Sequence, residues 1–368
     1  MRKKYRLIIV IIFVLFSKKM QVNALKIAQD TVITENISEG IEVIDNCKIT
    51  FENDKDIHIG SINNTTSGIS IKNGVTLTLD VSSKKNVNIY GGYYEEQDNK
   101  YDCAGIYVPV NSTLIINSTN EGSLIIYPFG MGSGIGGNGV FIENFDNNIN
   151  CLDAGVVILE HGKVSIKNPL MMEEYGLGAK IGGGGICNVC DDVKCLFGGN
   201  LKEFKITGGE LTIFSDIKDK QDGVGAIIGG GGISNYNEFI EKIYGGSAEK
   251  IYIYGGSINI NNDNSNLKNG AGAVIGGGGI YNTATVNNIV KGQLFLKECK
   301  NKVKITLSQD EPIYGDGNIY NNGLYIKAGS QVQNVSKNID EIKESILKGV
   351  IDAGLICSGI FLIMELVS

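Results

Sequence analysis

The residues able to do chemistry are few and scattered. The chain holds two histidines, His58 and His161, about 100 residues apart. His161 occupies a turn position that glycine fills at Gly208 and Gly255, so an exposed corner side chain is expected. A Ser-His-Asp or Cys-His nucleophile would have to be built around one of these rings, and no Gly-x-Ser-x-Gly elbow accompanies either. Carboxylates gather as Asp216, Asp219 and Asp222 in the loop before one glycine block, and Asp191-Asp192 follows another. Ca²⁺ takes roughly six to eight oxygens, and the equivalent stretch one repeat later, Asn262-Asp263-Asn264, keeps one carboxylate. The expectation is a solvated loop and no cofactor, with Ca²⁺ at Asp216, Asp219 and Asp222 as the weaker alternative.

Eight cysteines (47, 103, 151, 187, 190, 195, 299 and 357) include one tight cluster, Cys187-x2-Cys190-x4-Cys195. Zinc would need a fourth ligand from elsewhere, so a loop disulfide or buried thiols is expected instead. Tyrosine is the remaining functional candidate. Tyr236, Tyr244, Tyr252, Tyr254 and Tyr281 fall within two repeats, and Tyr90, Tyr93 and Tyr94 flank Gly91-Gly92. Outward-facing tyrosines can pack against the apolar face of a sugar ring, which makes Tyr252, Tyr254 and Tyr281 candidate ligand-binding residues. The plainer account is sheet-surface tyrosine, because the residue favours strands.

The elements that would carry these side chains repeat. Ile181-Gly182-Gly183-Gly184-Gly185-Ile186 recurs as Ile228 to Ile233, with Gly229, Gly230, Gly231 and Gly232, and as Ile275 to Ile280, with Gly276, Gly277, Gly278 and Gly279. Both steps are 47 residues, and a fourth block, Ile135-Gly136-Gly137-Asn138-Gly139-Val140, lies 46 residues upstream. Such self-similarity marks a repeat architecture. Between the blocks, alternating apolar pairs sit in phase: Val157/Leu159, Phe204/Ile206 and Ile251/Ile253, a glycine turn, then Val164/Ile166, Leu211/Ile213 and Ile258/Ile260. Period-2 alternation broken by glycine reads as short strands joined at tight corners. The fold expected is all-β, a right-handed parallel β-helix with a repeat of about 47 residues. At roughly 20–25 residues per coil, each repeat would make about two coils. Some 310 residues would then give about 13 coils and a rod of roughly 60 Å, given strands ~4.8 Å apart. The glycine blocks would mark places where backbone passes close to backbone. Nucleotide motifs do not apply, since no block is followed by Lys-Ser or Lys-Thr or opens a helix.

Domain organisation follows from the ends. Arg2, Lys3, Lys4 and Arg6 precede an apolar run from Leu7 to Phe16, and Val22-Asn23-Ala24 offers small cleavage residues, so 1–24 reads as a signal peptide. Its removal takes six basic and no acidic residues, moving the formal charge from −7 to −13 and leaving no arginine. An acidic, arginine-free exported chain is a poor match to nucleic acid or phosphate. The β-helix is expected over 25–335. Residues 336–368 show Ile339, Ile342, Ile346 and Val350 at helical spacing, and the apolar stretch from Ala353 to Met364 is too short to span a membrane. A short C-terminal helix capping the rod end is expected, with no transmembrane span in the mature chain.

From Ala104 to Gly137 the chain follows the pattern AGIxVxxGSTLTIxGxGxLxxxGGxxGAGIGGG almost in order. It thereby resembles the glycine-rich, GAGIGGG-type repeat family of secreted and cell-surface bacterial proteins, over roughly residues 40 to 330. The resemblance implies a parallel β-helix and adhesin-like or carbohydrate-binding roles, with polysaccharide or surface glycan as partner; it brings no catalytic residues. Two alternatives stand beside a non-catalytic binder on the cell surface or outside it. One is a polysaccharide lyase-like enzyme acting on acidic polysaccharide, though arginine, the common lyase base, is missing from the mature chain and only lysine remains. The other is a structural spacer of the cell envelope.

Overall fold

The computed structural model describes residues 24–119, 121–144, 151–171, 175–217, 222–264, 269–300, 304–307 and 313–326. The signal peptide expected over 1–24, apart from Ala24, and the C-terminal helix expected over 336–368 lie outside them. The chain is an all-β parallel β-helix with no α-helix among the described residues. No helix there is long and apolar enough to cross a membrane.

Three parallel sheets close the main solenoid. Sheet 1 has nine strands and contains the Ile-Gly pairs Ile135–Gly136, Ile181–Gly182, Ile228–Gly229 and Ile275–Gly276. Sheet 2 has eight strands, among them Ala154–His161, Leu201–Ile206 and Ala248–Ile253. Sheet 3 has seven, among them Lys163–Ile166, Glu210–Ile217 and Ser257–Asn264. The alternating apolar pairs all point inward. Ile251 and Ile253 from sheet 2 meet Ile258 and Ile260 from sheet 3 in one continuous core, which also takes Ile181, Ile228 and Ile275 from sheet 1. The turn between sheets 2 and 3 is the glycine corner, where Gly209 and Gly256 hold φ of +79° and +76°. That left-handed conformation favours glycine because a Cβ would meet the neighbouring carbonyl.

The expectation of two coils per repeat is wrong. Ile135 pairs with Ile181, Ile181 with Ile228 and Ile228 with Ile275, so strands 46 or 47 residues apart are direct neighbours and each repeat is one coil. Nine strands in sheet 1 make nine coils, and at ~4.8 Å per coil the rod is about 40 Å long, not 60 Å.

The surplus length goes into a side lobe. After Ile181–Gly182 the chain leaves the solenoid, forms Ile186–Asn188 in sheet 4 and Cys195–Phe197 in sheet 5, and returns at Leu201. This lobe has its own core, built from Ile186, Ile233, Ile240, Ile243 and Ile280. The two isoleucines of one glycine block therefore serve different cores: Ile181 the solenoid, Ile186 the lobe. The glycines between them form the neck. A Cβ on Gly183 would overlap the Gly199 carbonyl, and one on Gly230 would overlap that of Gly246. Outgoing and returning chain thus lie backbone to backbone in every repeat.

The early coils differ. Paired residues in sheet 1 are separated by 16, 28, 37 and 29 residues from Leu25 to Ile135, against 46, 47 and 47 from Ile135 to Ile275 and 39 in the last step to Tyr314. No excursion leaves between sheets 1 and 2 until Gly139–Ile142 joins sheet 4.

Candidate functional site

Below Gly139–Ile142 the lobe sheet is continued only by the hairpin Tyr93–Glu96 and Asn99–Asp102, and part of the outward side of sheet 1 stays open. Its outward residues follow one register line: Lys26 beside Glu42, Glu42 beside Ser70, Ser70 beside Tyr107. They floor a groove of about 770 Å³, a size typical of ligand sites. Thr65, Thr66, Ser67, Lys72, Asn73, Tyr94 and Asn138 complete its lining. Lys26 and Glu42 are paired at 3.5 Å and both remain accessible, so the floor carries charge without being strongly of one sign. The Thr66 hydroxyl is buried without a hydrogen-bond partner, which is costly for a polar group unless something donates to it or accepts from it. Burial pushes the Tyr107 phenol up to about 12, with the neighbouring Cys151 and Asp153 adding to it. At neutral pH it is therefore an uncharged donor. Hydroxyls, two amides, two tyrosines and a paired charge suit a polyhydroxylated ligand.

The three sequence-selected tyrosines do not form one site. Tyr252 and Tyr254 alternate with the buried Ile251 and Ile253 on the outward side of sheet 2, with ring centroids 5.7 Å apart. The Tyr254 hydroxyl donates to Glu298 at 2.8 Å, and Lys300 stands 5.1 Å from its ring. Partial burial and the Glu298 bond push that phenol up to about 12. Tyr281 lies in sheet 4 on the lobe, stacked on Tyr320 at 4.7 Å and 7° and next to Tyr236 at 5.6 Å. One face of its ring is covered by Tyr320. Other aromatics repeat this geometry: Tyr90 on Tyr127 at 4.9 Å, Tyr94 on Tyr101 at 4.7 Å, and Phe197 on Tyr244 at 4.9 Å. Coil spacing matches the stacking distance, so rings in register cover one another's faces and turn their edges outward. Such ladders stabilise the rod but leave little ring face for a sugar.

The carboxylate loop is only partly described. Asp216 sits in the strand Glu210–Ile217, in register with Asp263, and Asp219 lies outside the described residues. Asp222 accepts a hydrogen bond from the Tyr236 hydroxyl at 2.7 Å, and its backbone carbonyl accepts one from Ser234 at 2.7 Å. Burial first, then the Asp222 contact, raises the Tyr236 phenol. Among the described residues no group of three His, Cys, Asp or Glu side chains is arranged to hold a metal ion. Cys187 and Cys190 are buried in the lobe and Cys195 is half-buried. Cys103 and Cys151 lie near the groove, and burial raises both thiols, Cys151 to about 12. His161 is exposed at its corner. His58 is exposed too, its Nδ1 2.9 Å from the Tyr90 hydroxyl.

One buried feature was missed in the sequence. Asn188, Asn235, Asn282 and Asn321 form a ladder in the lobe, each Nδ2 donating to the next Oδ1 at 2.8 Å. The signal was present as Ile-x-Asn, with Ile186/Asn188, Ile233/Asn235, Ile280/Asn282 and Ile319/Asn321 placing both residues on one face of a strand. The groove had no such signal. No protein-family model, curated protein or solved structure matches the chain.

Proposed function

We propose that the chain is a secreted or cell-surface, non-catalytic β-helix protein that binds carbohydrate, in the manner of an adhesin, through the groove on sheet 1. The observation carrying this reading is the register line Lys26, Glu42, Ser70 and Tyr107, which sets four polar side chains along the rod axis in a groove of about 770 Å³. An extended glycan advances by nearly one coil spacing per sugar, ~4.8 Å, so equivalent positions on successive coils meet successive sugars. The resemblance to surface-protein repeats supports the same conclusion. Tyr252 and Tyr254 provide a secondary aromatic surface.

Titration calorimetry against cello-, chito- and galacturono-oligosaccharides tests the assignment. Tyr107→Ala should weaken binding by about tenfold, the equivalent of ~1.4 kcal/mol, while Tyr252→Ala with Tyr254→Ala should have the smaller effect. Retention of full affinity by Tyr107→Ala would move the site elsewhere. Absence of binding to every glycan would leave a structural spacer. Unsaturated product released from a uronate polymer would instead mark a lyase, with Lys26 or Lys72 as the base to examine.

A further inference from the structure

We infer that the groove receives the end of a glycan chain and not an internal stretch of it, a deduction that rests on the carbohydrate-binding reading above. The floor line Lys26, Glu42, Ser70, Tyr107 continues in register to Gly136. At that position nothing is open. Gly136 and Gly137 are both buried, and a Cβ built on Gly137 would overlap the Leu152 carbonyl of the returning chain. Gly136 and Gly137 belong to the first neck, where backbone fills the space that Lys26 to Tyr107 leave to solvent.

The stop is rigid as well as filled. Asn138 is buried there, its Oδ1 accepting from the Ala104 amide at 2.8 Å and from Ser67 at 3.3 Å. The Asn138 backbone N–H in turn donates to the Cys151 carbonyl at 2.9 Å. A polymer lying along the floor cannot continue past Tyr107 without displacing paired backbone. Four coils at ~4.8 Å hold about four sugars, and the last of these must be a terminal one.

The experiment uses the full chain and the three oligosaccharide series from dimer to octamer, together with long polymers of matched composition. Affinity should rise to a plateau near the tetramer. Protein bound at saturation should count polymer chain ends, unchanged when chain length is increased at constant molar concentration of chains. Chemical modification of the terminus that enters should lower affinity by about tenfold or more; parallel samples reduced at one end and oxidised at the other identify which terminus that is. Binding that grows in proportion to polymer length, or is indifferent to modification of both ends, would overturn end recognition while leaving carbohydrate binding intact. No binding in any series would overturn both.

Discussion

Replacing Asn235 by alanine should cut the asparagine ladder at its centre. Asn235 is fully buried. It accepts from Asn188 at 2.8 Å and donates to Asn282 at 2.8 Å and to Asn237 at 2.7 Å, which uses both amide hydrogens. The partners are not wholly stranded. Asn188 keeps a long contact to the Cys190 carbonyl at 3.4 Å, and the Asn282 oxygen keeps one from the Ala284 amide at 3.3 Å. Three lost bonds at the low end of ~1 kcal/mol each give a loss of about 3 kcal/mol. In a chain of this size that lowers the melting temperature by roughly 4 °C, read by far-UV circular dichroism alongside urea unfolding. Asn235→Asp provides the sharper control, since it keeps the shape but places a carboxyl among two acceptors. Burial raises the folded-state pKa of that carboxyl above its unfolded value of ~3.9. The folded state then binds more protons than the unfolded one, so stability falls as pH rises above ~4, by up to ~1.4 kcal/mol per unit. The aspartate variant should therefore approach the wild type at acid pH and fall away at neutral pH. An alanine variant within ~0.5 kcal/mol of wild type, or a pH-independent deficit in the aspartate variant, would refute the ladder's contribution.

Two further outcomes are expected. Gly230→Ala should abolish folding of the repeat region, because its Cβ would overlap the Gly246 carbonyl across the neck, whereas Gly74→Ala meets nothing within 4 Å at φ +83° and should cost only ~1–2 kcal/mol; soluble yield and melting temperature of the pair decide it. In spectrophotometric titration Tyr254 should ionise near 12 and fall back towards ~10 in Glu298→Gln. Its folded pKa is raised, so whatever stability it contributes is present below ~10 and lost as pH climbs through about 12; an unshifted titration in the variant would show that the Glu298 bond is not the cause.

Local pattern carried the architecture because the information is local. Inward isoleucines at 251, 253, 258 and 260, and a glycine corner at Gly255-Gly256, need only strand alternation and the conformational reach of glycine. Coil length was not legible. A period of 47 residues fits two short coils as well as one long coil, and only the pairing of Ile181 with Ile228 separates them. Tyr281 shows the same limit. Its outward direction followed from alternation, but the covering of its ring by Tyr320 depends on which strand lies beside it.

By itself the sequence determined that this protein is a β-solenoid with phased glycines, because a covalent repeat forces a structural repeat and strand alternation forces an inside and an outside. The tertiary structure alone decided that each repeat divides between two cores. It also decided that the glycines are the neck between those cores, and that Lys26, Glu42, Ser70 and Tyr107 of the first four coils line an open groove. The physical reason is that a groove is made by what fails to pack against a surface, and no residue within the groove encodes the length of its neighbours' loops.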